Sequence, residues 1–237
     1  MEDSIAMPST KKTMLGLLTS LCLIVVTLPA WGASKADDEE TLRNAATVLQ
    51  AMLASNDVSR GVLEKADCIM ILPSVKKFAV GIGGTGGRGP LSCRQGKGFT
   101  GKWSPPAMYS IGGASAGFQV GGKSSDIVIA IMAPTAVDKV LDGKVKVGTD
   151  VSAAAGPGAS APTNSTADML TYSRSSGLFA GVSLDGASLS PDSDANQRLY
   201  GKPASAKEIV SGSGVKATSA GESLVSLLDS KAGKHVQ

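Results

Sequence analysis

The chain has 237 residues and a formal net charge of +3 at pH 7, and 42% of its residues are hydrophobic. This is enough to bury the core of one domain, while so small a net charge gives no reason to expect a nucleic-acid partner. The single histidine, His235, lies close to the C-terminus, which excludes catalysis by a histidine base or triad. Aromatic residues are 4% and glycine contributes 29 residues, so the core must consist mainly of aliphatic side chains.

The first 32 residues have the pattern of a secretory signal peptide. Lys11 and Lys12 precede an apolar run over residues 14–28, and small residues suited to cleavage follow. This order predicts cleavage after Gly32 or Ala33. The apolar run is short for a membrane span. We therefore expect export, to the periplasm or the cell envelope, rather than a permanent anchor.

The N-terminal segment of the mature chain, residues 33–57, predicts an amphipathic helix over residues 39–54. Its apolar stripe consists of Leu42, Ala46, Leu49, Met52 and Leu53. The acidic residues 37–40 lie at its start, where the helix dipole favours negative charge. The polar face is acidic or neutral, which argues against insertion of this helix by itself into an anionic membrane. A second, short helix is predicted over residues 58–66.

From residue 68 onward, apolar runs alternate with turn residues and predict strands. We predict an α+β fold with a mostly antiparallel, glycine-rich sheet, curved or barrel-like, and flanking helices, over a domain of residues 58–203. The predicted strands are 68–72, 78–82, 107–111, 116–120, 127–132, 144–149, 169–172 and 178–184, with a helical turn at 134–141. A C-terminal segment, residues 204–237, contains a helix, a break at 211–214, a short helix at 222–228 and a frayed end.

Two glycine patterns imitate nucleotide-binding motifs. Gly81, Gly83 and Gly86 match G-x-G-x-x-G, and residues 117–124 match the phosphate-binding loop. Either motif requires a helix directly after it. Residues 87–96 are a run of helix breakers, and residues 126–132 have the pattern of a strand. We therefore expect no nucleotide and interpret the second pattern as a hairpin turning at residues 121–124.

The charge is unevenly distributed. Residues 34–59 carry a net charge of −3, whereas nine basic and two acidic side chains give +7 over residues 60–123. These cations are either ordinary solvated side chains or a surface for anionic head groups. Trp103 is either a core anchor or an interfacial indole beside the basic residues. The candidate lipid-binding residues are Lys76, Lys77, Arg88, Arg94, Lys97, Lys102, Trp103 and Lys123.

Cysteines and carboxylates give little sign of catalysis. Cys68 and Cys93 either pair in an oxidising compartment or stay as two buried thiols, and no C-x-x-C or Cys/His cluster indicates a redox or zinc site. Asp192 and Asp194 lack the glycine and glutamate of a calcium loop. We expect no catalytic residues, no cofactor and no metal, and the one enzymatic alternative is a serine–lysine hydrolase.

Several motifs in order carry a family resemblance over residues 58–201. They include WSPP at 103–106, GGASAGFQVG at 112–121 and YSRSSGLFAGVSLDG at 172–186. In these motifs the chain resembles the SYLF domain family, found in cortical proteins of yeast and animals and in many exported bacterial proteins. The resemblance identifies it as an exported bacterial member of that family.

The resemblance implies a lipid-binding module, because eukaryotic relatives bind phosphoinositides and help organise cortical actin. For this chain it implies a non-enzymatic exported protein that associates with anionic phospholipid or a membrane surface. The alternative is an envelope structural or protein-interaction module, whose glycine-rich sheet docks a partner protein's strand. The membrane-seeking helix of the eukaryotic relatives corresponds here to the acidic residues 37–40.

The predicted leader is tested by the mature N-terminus. We expect intact-mass spectrometry of the exported protein to give a chain that begins at Ala33 or Ser34, because the basic residues, apolar run and small residues occur in the required order. An exported protein that retains its first 32 residues would contradict this prediction.

Overall fold

The computed structural model describes residues 32–80, 82–116, 121–155, 167–175, 178–180, 184 and 186–233. Except for Gly32, the predicted leader lies outside these residues and stays a prediction. Among the described residues, no helix is long and apolar enough to cross a membrane.

Two helices open the described part of the chain, as predicted. Helix α1 (Lys35–Ala54) begins with a capping box between Ser34 and Asp37, in which each satisfies a backbone N–H of the other. The hydrogen bond from the Ser34 backbone N–H is the main reason that the pKa of Asp37 is lowered. Helix α2 (Arg60–Lys65) is capped by the Ser59 side chain.

A mostly antiparallel sheet follows and confirms the predicted fold class. Among the described residues it has nine strands in the order β5-β9-β3-β2-β1-β4-β7-β6, with β8 pairing β7, and it curls into a half-barrel. The pair β6–β7 is parallel and the other pairs are antiparallel. The strands are β1 (Cys68–Val80), β2 (Ile82–Cys93), β3 (Ala107–Ala116), β4 (Gly121–Ile131), β5 (Val145–Lys146), β6 (Ala153–Ala155), β7 (Met169–Ser175), β8 (Leu178–Ala180) and β9 (Ser188–Pro191).

Strand β1 is one long strand, where the sequence predicted two. It passes Pro73 through a bulge, at which the register with β4 shifts between Leu72 and Val75. Ser74 has a φ of 52°, and its N–H donates to Asp126 Oδ1 at 2.9 Å. A bulge is where a strand tolerates proline, because the ladder is already interrupted there.

Strand β2 is the largest element that the sequence analysis missed. Its glycines and Pro90 have the pattern of a loop, yet it pairs with both β1 and β3. At Gly89 an added Cβ would lie 1.9 Å from the Ile71 carbonyl oxygen, so only glycine fits. The expected hairpin at residues 121–124 is also wrong. These residues lie inside β4, whose described residues pair with β1 and β7. In the described sheet, β2 and β1 lie between β3 and β4.

The sheet buries apolar side chains on both faces near Cys68. On the face that we call the α1 face, Ile69, Ile71 and Val128 pack with residues of α1, α2 and α6. On the opposite face, the α3 face, Met70, Leu72, Val75 and their neighbours pack with α3 and α5. The remaining helices are α3 (Pro134–Asp142), α4 (Ser193–Tyr200), α5 (Ala206–Ser211) and α6 (Ser219–Lys231). Of these, the sequence analysis missed α4.

Cys68 and Cys93 form a disulfide bond. Cys68 and Cys93 are register partners on β1 and β2, and their sulfur atoms lie 2.06 Å apart. The bond closes a loop with a sequence separation of 25 residues. In the chain-entropy description a loop of this length contributes about 3 kcal/mol to stability.

Candidate functional site

Apart from Arg88, the candidate basic residues lie near the two ends of β1 and do not form one surface. Arg94, Lys97, Lys102 and Trp103 follow Cys93, which pairs with Cys68 at the start of β1. Lys76 and Lys77 lie eight and nine residues further along β1, which is roughly 25–30 Å at the rise of a strand. We call the region around Lys76 and Lys77 the distal end.

At the distal end, two lysines are direct cross-strand partners. Lys77 of β1 pairs with Lys123 of β4, and on its other side with Thr85 of β2. Lys76 is exposed and Lys77 is half-buried; the Lys123 side chain lies outside the described atoms. Like charges placed directly opposite each other destabilise an antiparallel pair. The register therefore places two lysines opposite each other at the distal end.

Arg88 belongs to an ion cluster on the α1 face. The Asp38 carboxylate, which is fully buried, accepts hydrogen bonds from Arg88 and from Arg198 of α4, the latter at 2.7 Å to Nε. Arg88 Nε also lies 3.6 Å from an Asp192 carboxylate oxygen. The hydrogen bond to Asp38 is the main reason that the pKa of Arg198 is raised. We call these four residues the Asp38 clasp; it holds α1 against β2 and α4.

Arg94 and Trp103 are core residues, which corrects their assignment to a lipid-facing surface. Arg94 is 1% exposed and Trp103 2% exposed. The Arg94 guanidinium lies 4.4 Å from the centre of the Trp103 ring and donates to the Leu63, Ala66 and Ala232 carbonyl oxygens. Trp103 Nε1 also donates to the Ala232 carbonyl oxygen. Both side chains therefore anchor the end of α6, and the core-anchor interpretation of Trp103 describes its place in the structure.

Lys97 and Lys102 stay exposed at the Cys68 end of β1. Lys97 begins a short 3-10 turn (Lys97–Phe99), and Lys102 immediately precedes Trp103. Arg94 and Trp103, which lie beside them in the sequence, are buried. Two exposed lysines therefore remain here, separated from the distal pair.

The candidate catalytic features have structural roles where the structure describes them. Strand β2 continues from Gly86 to Cys93, so no helix follows the first glycine motif. The Ser104 hydroxyl is buried, donating to the Pro105 carbonyl and accepting from the Cys93 N–H. Asp192 caps α4. Among the described residues, no group of three or more His, Cys, Asp or Glu side chains could hold a metal ion. Gly81, residues 117–120 and His235 lie outside the described residues.

The sequence analysis missed two buried polar residues that connect α4 to the rest of the domain, Asp38 and Asn196. Asp38 lies four residues before Leu42 on the same buried stripe of α1, and this spacing was the available signal for a buried carboxylate. Asn196 of α4 is also fully buried and binds the backbone N–H and carbonyl of Met108 on β3.

Comparison with known proteins decides the family. The profile described as "Ysc84: Las17-binding protein actin regulator" matches residues 112–231, which is half of the chain. The chain belongs to the Ysc84, or SYLF, family. This confirms the resemblance seen in the motifs.

Relatives in this family come from fungi and animals. Protein YSC84 of Saccharomyces cerevisiae is 33% identical over 205 residues, which is 80% of this chain and 43% of that protein. SH3 domain-containing YSC84-like protein 1 of Homo sapiens is 35% identical over 175 residues, 71% of this chain and 50% of that protein. SH3 domain-containing protein PJ696.02 of Schizosaccharomyces pombe is 37% identical over 139 residues, 55% of this chain and 32% of that protein. The chain thus spans half or less of the length of these relatives.

The Asp38 clasp makes a prediction about stability. We expect Asp38→Asn to lower the free energy of unfolding by about 2 kcal/mol, because Arg88 and Arg198 lose the carboxylate that they share and are themselves about 30% exposed. Urea denaturation measures this effect. Glu40→Gln, the same charge change at an exposed position of the same helix turn, is the control and should leave stability unchanged. Equal effects of the two substitutions would contradict the role of the clasp.

Proposed function

We propose that this chain is a non-enzymatic interaction module that binds an anionic partner surface through the distal end of the sheet, at the cross-strand pair Lys77 and Lys123. Family membership supports the class of function, since the family is described as an actin regulator that binds another protein. The register, which places Lys77 beside Lys123, supports the choice of the distal end as the binding surface. The observation that carries the proposal is the direct pairing of Lys77 with Lys123.

This pairing has a physical cost that a partner would remove. Within the described residues, the ladder neighbours of Lys77 are Thr85 and Lys123, neither of them acidic. The nearest acid along β4, Asp126, accepts the Ser74 N–H at the bulge. An anionic surface placed over the distal end would attract both lysines and so offset the repulsion between them.

A protein is the partner class that the comparisons support. Two of the yeast relatives are named for binding another protein, as "LAS seventeen-binding protein 3". Because this chain covers less than half of each of them, we propose for it only the coarser function, namely docking on an acidic protein surface such as that of an actin-based assembly. Charge–charge contacts of this kind mainly set the association rate and the choice of partner.

Anionic phospholipid is the second candidate partner. It is favoured by Lys76, the exposed lysine of β1. It is also favoured by the predicted leader, because an exported chain would meet the charged head groups of the cell envelope. On this alternative the protein is an envelope-associated, lipid-binding member of the family. Each lysine near an anionic lipid surface contributes about 1 kcal/mol.

A charge-matched pair of variants tests the proposed surface. We expect Lys77→Thr with Lys123→Thr to weaken binding about thirtyfold, the equivalent of about 2 kcal/mol. Lys97→Thr with Lys102→Thr removes the same charge at the other end of β1 and should have little effect. Co-sedimentation is measured with purified actin filaments and with phosphatidylcholine vesicles that contain or lack phosphatidylglycerol, over a range of salt concentrations.

The results distinguish the protein partner from the lipid partner and test whether the Lys77/Lys123 surface is the one that binds. Binding to filaments supports the protein candidate, and binding that depends on phosphatidylglycerol supports the lipid candidate. A rise in the urea midpoint of the Lys77/Lys123 variant would confirm that the lysine pair opposes folding. A larger loss of binding in the Lys97/Lys102 variant, or binding insensitive to salt, would overturn the proposed surface.

A further inference from the structure

The Cys68–Cys93 disulfide lies at the last pair of residues in the β1–β2 ladder. Three register pairs, from Cys68–Cys93 to Met70–Leu91, precede a shift in register along these two strands. On the other side of β2, the ladder with β3 ends at Leu91. Short runs of pairing at the end of a sheet open locally at little cost in free energy. The disulfide therefore joins β1 and β2 covalently at the point where fraying would begin.

The end of β2 positions both residues that hold the end of α6. Arg94 directly follows Cys93, and its backbone N–H donates to the Asp67 carbonyl oxygen at 2.8 Å. The Cys93 N–H donates to Ser104 Oγ at 3.0 Å, and the Ser104 N–H donates back to the Cys93 carbonyl oxygen at 2.8 Å. The backbone of Cys93 therefore places Arg94 through the chain itself and Trp103 through its neighbour Ser104.

The side chains of Arg94 and Trp103 converge on one carbonyl oxygen of α6. The carbonyl of Ala232 accepts from Arg94 Nη2 at 2.7 Å and from Trp103 Nε1 at 3.1 Å. Ala232 is the C-cap of α6, where a helix leaves carbonyl groups that need partners from outside. The same guanidinium donates to the Leu63 and Ala66 carbonyl oxygens, both at 3.3 Å. Arg94 thus joins the end of α6 to the segment that leads into β1.

The disulfide and α6 lie on opposite faces of the sheet. Cys68 and Cys93 are 0% and 1% exposed and pack in the core of the α3 face. Trp103 packs with Leu224 and Leu228 of α6 in the core of the α1 face. The end of β2 connects the two faces, because Cys93 belongs to the first core and its neighbour Arg94 binds α6. A change at the sulfur atoms is therefore transmitted to α6 through this short piece of backbone.

We propose that oxidation of Cys68 and Cys93 closes a redox latch, which consists of Arg94, Trp103 and the Ala232 carbonyl group. With the disulfide formed, the end of β2 is fixed and the latch holds α6 on the domain. With two thiols, the last pair frays and the end of α6 opens. The latch goes beyond the proposed docking surface, which lies at the other end of β1.

The chemistry of closure is thiol–disulfide exchange with an oxidising disulfide. The two thiols lose two protons and two electrons, and the oxidant takes them up and leaves as two thiols. Thiols are kept reduced in the cytosol, whereas disulfides persist in oxidising compartments. On the predicted export route, the latch would therefore close only after the chain leaves the cytosol.

Fluorescence of Trp103 tests the latch. In the full chain with Trp31→Phe and Cys22→Ser, Trp103 is the only tryptophan, and Cys68 and Cys93 are the only cysteines. We expect reduction with dithiothreitol, without denaturant, to shift the emission to longer wavelength and to increase its quenching by acrylamide, while far-UV circular dichroism keeps most of its amplitude. Unchanged emission after complete reduction would overturn the proposal. Loss of the circular dichroism would also overturn it, because the disulfide would then hold the whole fold rather than α6.

Two truncated chains test the coupling between the disulfide and α6. A chain that ends at Lys231 lacks the Ala232 carbonyl acceptor, whereas a chain that ends at Gly233 keeps it and is the control. Coupling is reciprocal, so the closed helix must stabilise the disulfide as much as the disulfide stabilises the closed helix. We expect the chain ending at Lys231 to be half-reduced at a ratio of reduced to oxidised dithiothreitol about tenfold lower than the control, the equivalent of one hydrogen bond to a charged group.

A third variant keeps the chain at its natural length. Arg94→Lys should lower the same ratio, because a lysine cannot donate to three separate carbonyl groups in the geometry of a guanidinium. In the chain ending at Lys231, reduction should no longer change the quenching of Trp103, since the latch is already open. Equal ratios in the chains ending at Lys231 and Gly233 would overturn the proposal, and so would an unchanged ratio in Arg94→Lys.

Discussion

The buried carboxylate of Asp38 determines which part of the α1 face is covered. It joins α1 to β2 through Arg88 and to α4 through Arg198, so both helices lie over the half of the sheet that contains the apolar core. A buried carboxylate without partners would be strongly unfavourable. The sharing of one carboxylate by two arginines therefore fixes α1 and α4 together over this half of the sheet.

The distal end of the sheet is more polar than the end near Cys68. Near Cys68 the strands carry aliphatic side chains on both faces, with the disulfide and the Arg94–Trp103 contact at the margin. Beyond the bulge at Ser74, the same strands carry lysine, serine and glycine together with apolar residues of β1 such as Val75 and Phe78. The bulge allows β1 to continue from the apolar end of the sheet into the distal end. A domain built in this way gains its stability at one end and presents charge at the other, as expected for a binding module.

The sequence predicted most elements whose residues follow a simple period. Helix α1 was found from the stripe that includes Leu42 and Leu49, and the β-branched run at residues 127–131 was correctly interpreted as a strand. It missed β2, because glycines and Pro90 have the pattern of a loop until two neighbouring strands supply their hydrogen bonds. Counting charged residues identified residues 60–123 as basic, but it did not show which of these side chains face solvent. Whether Arg88 and Arg94 face solvent or a partner within the fold depends on Asp38 and Ala232, which are distant in the chain.

Hydrogen–deuterium exchange with and without the anionic partner tests most directly the claim that binding uses the distal end of the sheet. The account predicts slower exchange in peptides that cover residues 76–90 and 121–127 when the partner is present. Peptides from α1 and α6 should exchange at the same rate in both states, because the Asp38 clasp and the Arg94 anchor stay closed. Slower exchange confined to residues 95–105, or faster exchange in α1, would contradict the account, since either result would place the partner on, or within, the helix-covered half.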